Sequence, residues 1–330
     1  MQLEAFTLAT YRFTLTARDA LHFPPFKGSA LRGGFGYAFK SLVCFQPAVK
    51  TCAECLLRFN CPYSYIFETP CPPESEVLSA NERVPLPLII EPPPDGQTDY
   101  APGNKLIFHV TLVGKAAGFL AYLIVAFQEL GRRGLGQTKG RFQLSHVEAV
   151  GPSNGGQATV FDAAQPAHIR LQTLPVDWPA IEARAAALPA DRLTLDFLTP
   201  ARLKHAGRWA QSGPPFHVLV KALLGRISSL SYFHCGQRWE ADFRGLIDRA
   251  MNVRAVQAQT RWEDWSRFSG RQEQRIEMGG LVGRITYQGD LRDYLPLLAL
   301  GEWVHVGKGT VFGNGQYRIV DDVGGNREQR

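Results

Sequence analysis

Two stretches of this chain repeat one pattern: an apolar run of helical period, a loop rich in glycine and basic residues, then an alternating strand. The first is Ala116 to Val150, through GRRGLGQTKGRFQL; the second is Leu291 to Val320, through GEWVHVGKGTVFGNGQYRI. Their closing strands begin about 175 residues apart, which points to an internal duplication. Glycine tolerates φ > 0 and lets backbone N–H groups come close to an anion, so both loops suit a phosphate backbone. A dinucleotide-binding loop follows a strand and opens a helix. Here a helix comes first and a strand follows, so that class is excluded.

Outward from these loops, each half offers strand, helix, two strands, helix, glycine loop and strand. The first half reads Phe6–Thr16, Ala30–Val43, Val84–Ile90, Lys105–Val113, Ala116–Leu130 and Arg141–Val150. The second reads Leu193–Leu198, His217–His234, Ala250–Thr260, Gly280–Tyr287, Leu291–Trp303 and Gln316–Val320. The order β-α-β-β-α-β is ferredoxin-like, the topology of RNA-recognition modules. The expected fold is therefore α+β, with two tandem ferredoxin-like (RRM-like) domains. These are residues 1–150, carrying a cysteine-rich metal-binding insertion at 44–71, and residues 192–330 with the second glycine loop. Residues 151–191 read as an interdomain segment with a short helix at Pro179–Leu188. Ser29 is the expected N-cap of the first helix. Gly33, Gly34 and Gly36 each cost that helix about 1 kcal/mol relative to alanine, so they imply close approach of another backbone or a ligand.

Cys44, Cys52, Cys55 and Cys61 follow that helix with spacing C-x7-C-x2-C-x5-C. In a reducing compartment such a set reads as a metal site, structural zinc ahead of an iron–sulfur cluster. Cys71 and Cys235 read as incidental. No run of eighteen apolar residues exists, so no membrane partner is expected. The N-terminus has no basic region before an apolar core, and the expected compartment is cytoplasmic. Residues 1–191 hold 16 basic and 16 acidic residues, whereas 192–330 hold 20 and 14. The +6 net charge thus sits in the second half and favours a polyanionic partner.

Basic residues cluster in three further places. Arg132, Arg133, Lys139 and Arg141 lie in the first glycine loop, which contains no acid, and Arg202, Lys204, His205 and Arg208 follow a strand. The run Arg261 to Arg275 interleaves Arg261, Arg267, Arg271 and Arg275 with Trp262, Trp265 and Phe268. Arginine binds phosphate bidentately and aromatic faces stack on unpaired bases. The tryptophans read equally well as core.

The motifs FKGSALRGGFG, CAEC, CPYSYIFE, YAPG, FQELGRRGLG, FLTPARLKH, RWEDWSRFSGRQ, MGGLVGRITYQGDL and GEWVHVGKGTVFGNGQYRI resemble one family. It is the CRISPR-associated endoribonuclease family of the RAMP superfamily that cuts precursor CRISPR RNA, the Cas-six group. The resemblance spans nearly the whole chain apart from 151–191. It implies binding of CRISPR repeat RNA, association with other CRISPR effector-complex subunits, and a cut that needs no cofactor or metal. In that chemistry a ribose 2′-OH attacks the adjacent phosphorus, leaving a 2′,3′-cyclic phosphate and a 5′-OH. A base, an acid and cations for the phosphorane are required. Relatives place a catalytic histidine on or next to the first helix. Ala30–Val43 contains none, and the nearest is His22. His22 is expected as general base or acid, Lys27 and Arg32 as phosphorane stabilisers and Tyr37 as a helper; His305 and His205 are the next histidine candidates. Lys139, Arg132, Arg133, Arg141, Lys308 and the loop residues Gly307, Gly309, Gly313 and Gly315 are expected on RNA phosphate. Two other readings stay open: a RAMP subunit that holds one end of the crRNA without cutting it, and a ferredoxin-like enzyme using the cysteines for redox chemistry.

Overall fold

The computed structural model describes residues 2–75, 77–78, 83–152, 156–165, 169–269 and 274–320. In the first unit, β1 (Leu8–Ala17) leads through β2 (Leu21–His22) to α1 (Gly28–Val43) and α2 (Pro62–Phe67). Then come β3 (Leu88–Glu91), β4 (Asp99–Tyr100), β5 (Lys105–Val113), α3 (Leu120–Arg133), β6 (Phe142–Val150) and β7 (Gln157–Asp162). The sheet runs β3-β5-β1-β6-β7, all antiparallel. Without β7 this is the ferredoxin-like order, with the first and third strands central. β7 is a fifth strand on β6, so residues 157–162 belong to this sheet and not to an interdomain segment.

The alternation of β1 turns Tyr11, Phe13 and Leu15 into the core. α1 buries Leu31, Phe35, Ala38 and Phe39 at helical spacing. Phe35 stacks on Phe127 of α3 with centroids 4.9 Å apart, and Phe127 in turn meets Phe13 and Phe108 at 5.2 and 5.3 Å. α1 starts earlier than Ser29: Leu31 N–H donates to Lys27 C=O, making Lys27 the N-cap, without a side-chain cap. Gly34 and Gly36 do permit close approach, to Leu130 and Leu135 and to Phe67, whereas Gly33 faces open space. The apolar run before the first glycine loop is not one helix; Gly114–Phe119 forms a 3₁₀ turn first.

The second unit holds α4 (Trp178–Ala186), β8 (Arg192–Ala201), β9 (Lys204–His205), β10 (Arg208–Trp209), α5 (Phe216–Leu230) and α6 (Phe243–Ala250). It continues with β11 (Arg254–Glu263), β12 (Ser266–Ser269), β13 (Gln274–Glu277), β14 (Gly280–Gln288), α7 (Leu295–Val304) and β15 (Tyr317–Val320). Its sheet runs β11-β14-β8-β15, again antiparallel and ferredoxin-like. The expected strand Ala250–Thr260 begins only at Arg254; α6 precedes it, capped by Asp242, which accepts from Gly245 N–H at 2.9 Å. By contacts, Leu3–Trp178 and Ser228–Trp239 form one unit, and Pro179–Ile227 and the chain from Glu240 the other. No helix among the described residues is long and apolar enough to cross a membrane.

Phe127 is fully buried at the meeting point of three phenylalanines. Phe127→Ala should cost the first unit about 3–5 kcal/mol, read as a lower urea midpoint with an unchanged slope.

Candidate active site and nucleic-acid interface

His22 is placed by strand pairing. β2 pairs with β4 in the register Leu21↔Tyr100 and His22↔Asp99. The His22 Nδ1 donates to Asp99 Oδ1 at 2.7 Å, and the Thr98 hydroxyl donates to Asp99 Oδ2 at 2.6 Å. The Thr98 and His22 contacts hold the Asp99 carboxyl below its ordinary range. A carboxylate only accepts, so Nδ1 carries the hydrogen and Nε2 is the nitrogen able to take a proton. The His22 side chain is 44% exposed, within reach of a ligand.

Lys27 is not at this surface. It is fully buried and donates from Nζ to Asp95 Oδ1 at 3.1 Å. The same Asp95 oxygen accepts the Gln97 N–H at 3.0 Å, and the Gln97 side chain donates to the Asp99 carbonyl at 2.8 Å. Lys27 therefore ties the start of α1 to the strand carrying Asp99, and the expected contact with a phosphorane is corrected to an anchoring one, because a buried ammonium needs its carboxylate partner. Arg32 lies over the Phe67 ring at 5.1 Å, turned toward α2.

The first glycine loop packs on the histidine strand. Gly136 has φ +81°, and a Cβ there would stand 2.6 Å from the His22 carbonyl oxygen. Only glycine combines that conformation with that approach. Beside it the Gln137 N–H donates to the same carbonyl at 3.1 Å, and Leu135 packs on Gly34 of α1. Tyr37, 70% exposed, lies 5.6 Å beneath the Arg133 guanidinium. The loop's arginines are not unopposed: Arg132 and Arg133 both pair with Glu129 at 2.7 Å, and Arg141 with Asp19 at 2.8 Å. Lys139 is exposed and has no carboxylate partner among the described residues. The loop thus meets the His22 backbone through Gly136 and Gln137 and Tyr37 through Arg133, whereas Lys27 is held by Asp95 and Arg32 by Phe67.

The second glycine loop is consumed largely by its own unit. The N–H groups of Val306, Lys308, Phe312, Gly313, Asn314 and Gly315 donate to carbonyls of this unit. A Cβ on Gly315 would collide with the Val306 carbonyl oxygen. Gly313 and Gly315 are buried, so these glycines close the turn instead of forming an open phosphate nest. Below the loop, Glu302 accepts from Ile319 N–H at 2.8 Å and Tyr317 donates to the Leu298 carbonyl at 2.7 Å. His305 is fully buried at φ +58° and donates from Nδ1 to the Asn314 carbonyl at 3.2 Å. Its burial removes it as a catalytic candidate. Lys308 is the loop's exposed cation.

Arg202 stacks 4.5 Å from the Trp209 ring and donates to the Glu277 carbonyl, and Arg267 stacks 4.7 Å from Phe312. Burial pushes both guanidinium groups down from their ordinary value, and both brace the loop's surroundings. Lys204 lies 5.2 Å over the same Trp209. Arg208 and His205 are exposed, His205 edge-on to His217 at 5.7 Å. Arg261 pairs with Glu263, Arg275 is exposed on β13, and Arg271 lies outside the described residues. Trp262 is half-buried and donates to Asp264 at 2.6 Å.

Cys44, Cys52, Cys55 and Cys61 all line one pocket, and none is in a disulfide. Among the described residues no group of three or more His, Cys, Asp or Glu side chains stands close enough together to hold a metal ion.

Two βαββαβ units, each with a basic glycine-rich loop before its last core strand, make a tandem ferredoxin-like protein. The model of the AF_1859_N family, an N-terminal domain, matches residues 6–174, and that of the CRISPR-associated endoribonuclease Cas6 matches residues 195–317. A Cas6 product complex superposes with TM-score 0.58 at 15% identity, covering 95% of this chain and 99% of that one. A Thermus thermophilus Cas6 gives 0.54 at 13%, covering 96% and 99%. A partial Cas6-RT-Cas1–Cas2 complex gives 0.59 at 12%, covering 96% of this chain and 46% of that one. No curated protein matches the sequence. Residues 195–317 thus match the Cas6 endoribonuclease family, and the fold over nearly the whole chain is like that of solved Cas6 structures.

Asp99, Asp95 and Gln97 carry no signal in the sequence. Asp99 lies 77 residues from His22, and only the β2–β4 pairing joins them.

Gly136→Val should lower the melting temperature and move the His22 imidazole resonances in NMR. Gly33→Ala, whose Cβ meets nothing, should move neither resonance and should stabilise α1 by up to about 1 kcal/mol. Because the folded Asp99 carboxyl titrates below its unfolded value, its contribution is complete above about pH 4 and is lost as pH falls through the lowered folded value. Acid titration of Asp99→Asn should therefore show a shallower loss of stability below about pH 4 than the parent.

Proposed function

We propose that this protein binds CRISPR repeat RNA and cuts precursor crRNA by metal-independent attack of a ribose 2′-OH on the adjacent phosphorus, giving a 2′,3′-cyclic phosphate and a 5′-OH. One observation carries the reading of the site: His22 donates through Nδ1 to Asp99 at the exposed edge of the first unit. That arrangement suits Nε2 to accept the 2′-OH proton or, once protonated, to pass it to the leaving 5′ oxygen. Asp99 orients the ring and stabilises the imidazolium that forms. Arg133 at the end of α3 and Lys139 in the glycine loop that packs on the His22 strand offer positive charge to the phosphorane, and the exposed Tyr37 hydroxyl is a further donor. Lys27 acts through Asp95 and Gln97 as a positioning residue.

In the second unit, Lys308, Lys204 and Arg208 supply exposed cations for the RNA backbone. Cas6 chains of similar fold occur in a product complex and in a Cas6-RT-Cas1–Cas2 complex, which supports repeat RNA and other CRISPR proteins as partners.

Incubation with repeat RNA in EDTA should give the cyclic-phosphate product. His22→Ala should slow cleavage by about 10²–10⁴-fold with RNA affinity retained. Lys308→Ala should weaken binding and reduce its salt slope by about one. Wild-type cleavage by His22→Ala overturns the site, and tight, salt-sensitive binding without any product marks a guide-holding subunit instead.

A further inference from the structure

We propose that Cys44, Cys52, Cys55 and Cys61 bind one zinc ion as thiolates, and that this ion clips the end of α1 to the start of α2. Four separate observations converge on it. First, all four thiols line a single pocket although they are spread along the chain from the C-cap of α1 to the N-cap of α2.

Second, this excursion has local hydrogen bonds, such as Arg58 to the Ala53 carbonyl at 2.7 Å, but no apolar core of its own. No residue from Cys44 to Tyr63 is buried, and Phe45 and Leu56 are 85% and 89% exposed. The side chains turned inward are the cysteines and their pocket neighbours Gln46, Val49, Thr51 and Arg58. A segment that cannot bury apolar surface needs another source of order, which a structural zinc supplies.

Third, the Thr51 hydroxyl in this pocket is buried with no hydrogen-bond partner, and a metal-bound thiolate would give it an acceptor. Fourth, Lys40 and Arg58 also line the pocket and balance the net charge of about −2 that four thiolates leave on a divalent ion. The site is separate from the residues proposed for RNA cleavage. Through α1 and α2 it bears on the Phe35–Phe67 contact, at 5.2 Å, beneath Arg32.

The test is metal content and thiol reactivity of the purified full-length protein. Elemental analysis should find about one zinc per chain, lost in Cys52→Ser and Cys55→Ser and kept in Cys71→Ser. Cobalt substitution should give the intense absorption of a tetrahedral thiolate site, and a thiol reagent should find four more reactive cysteines after chelation than before. Absence of stoichiometric metal, or full thiol reactivity in the untreated protein, overturns the proposal. Iron with a visible absorption band overturns zinc in favour of a cluster. Because none of these readouts requires RNA, they stand or fall independently of the cleavage reading.

Discussion

The face-to-face stack of Phe35 on Phe127 is the contact on which the first unit's site depends. It joins α1 to α3 over a core shared with Phe13 and Phe108, and so fixes both helices that border the site. α1 starts at Lys27, whose buried ammonium holds the Asp95–Gln97 segment and with it Asp99. α3 ends at Arg133, where the chain enters the loop that packs on the His22 carbonyl. A side chain displaced in the phenylalanine cluster would reach His22 from both directions, since dense interiors transmit strain.

The two glycine loops look alike in sequence and differ in use. In the first, glycine permits the loop to press on the histidine strand, while its arginines are partly neutralised by Glu129 and Asp19. In the second, the backbone turns on itself and its amides satisfy the unit's own carbonyls. Arg202 and Arg267 stack on Trp209 and Phe312 beside it, leaving Lys308 as the cation presented to solvent. Among the described residues, Lys139 and Lys308 are thus the loop cations that neither a carboxylate nor an aromatic ring holds, whereas Arg133 is shared with Glu129 and Tyr37.

The cysteine insertion shows the opposite economy. It exposes apolar side chains and turns sulfur inward, an inversion of ordinary burial that four thiols around one pocket make understandable.

Period and order in the sequence determined the architecture. The alternation of Lys105–Val113, the apolar spacing of α1 and the doubled helix–glycine loop–strand pattern are local properties, and both sheets have the ferredoxin-like order they imply. The Phe6–Thr16 and Arg141–Val150 strands shift by only a residue or two at their ends. What stayed hidden was short or relational: α6, the fifth strand β7, and the use of each polar group. His22, His305 and Lys27 are all polar residues near glycine or proline, yet one is half-exposed and the other two are buried. Only the tertiary structure decided this, because whether a charge meets water or a carboxylate depends on residues brought in from tens of positions away.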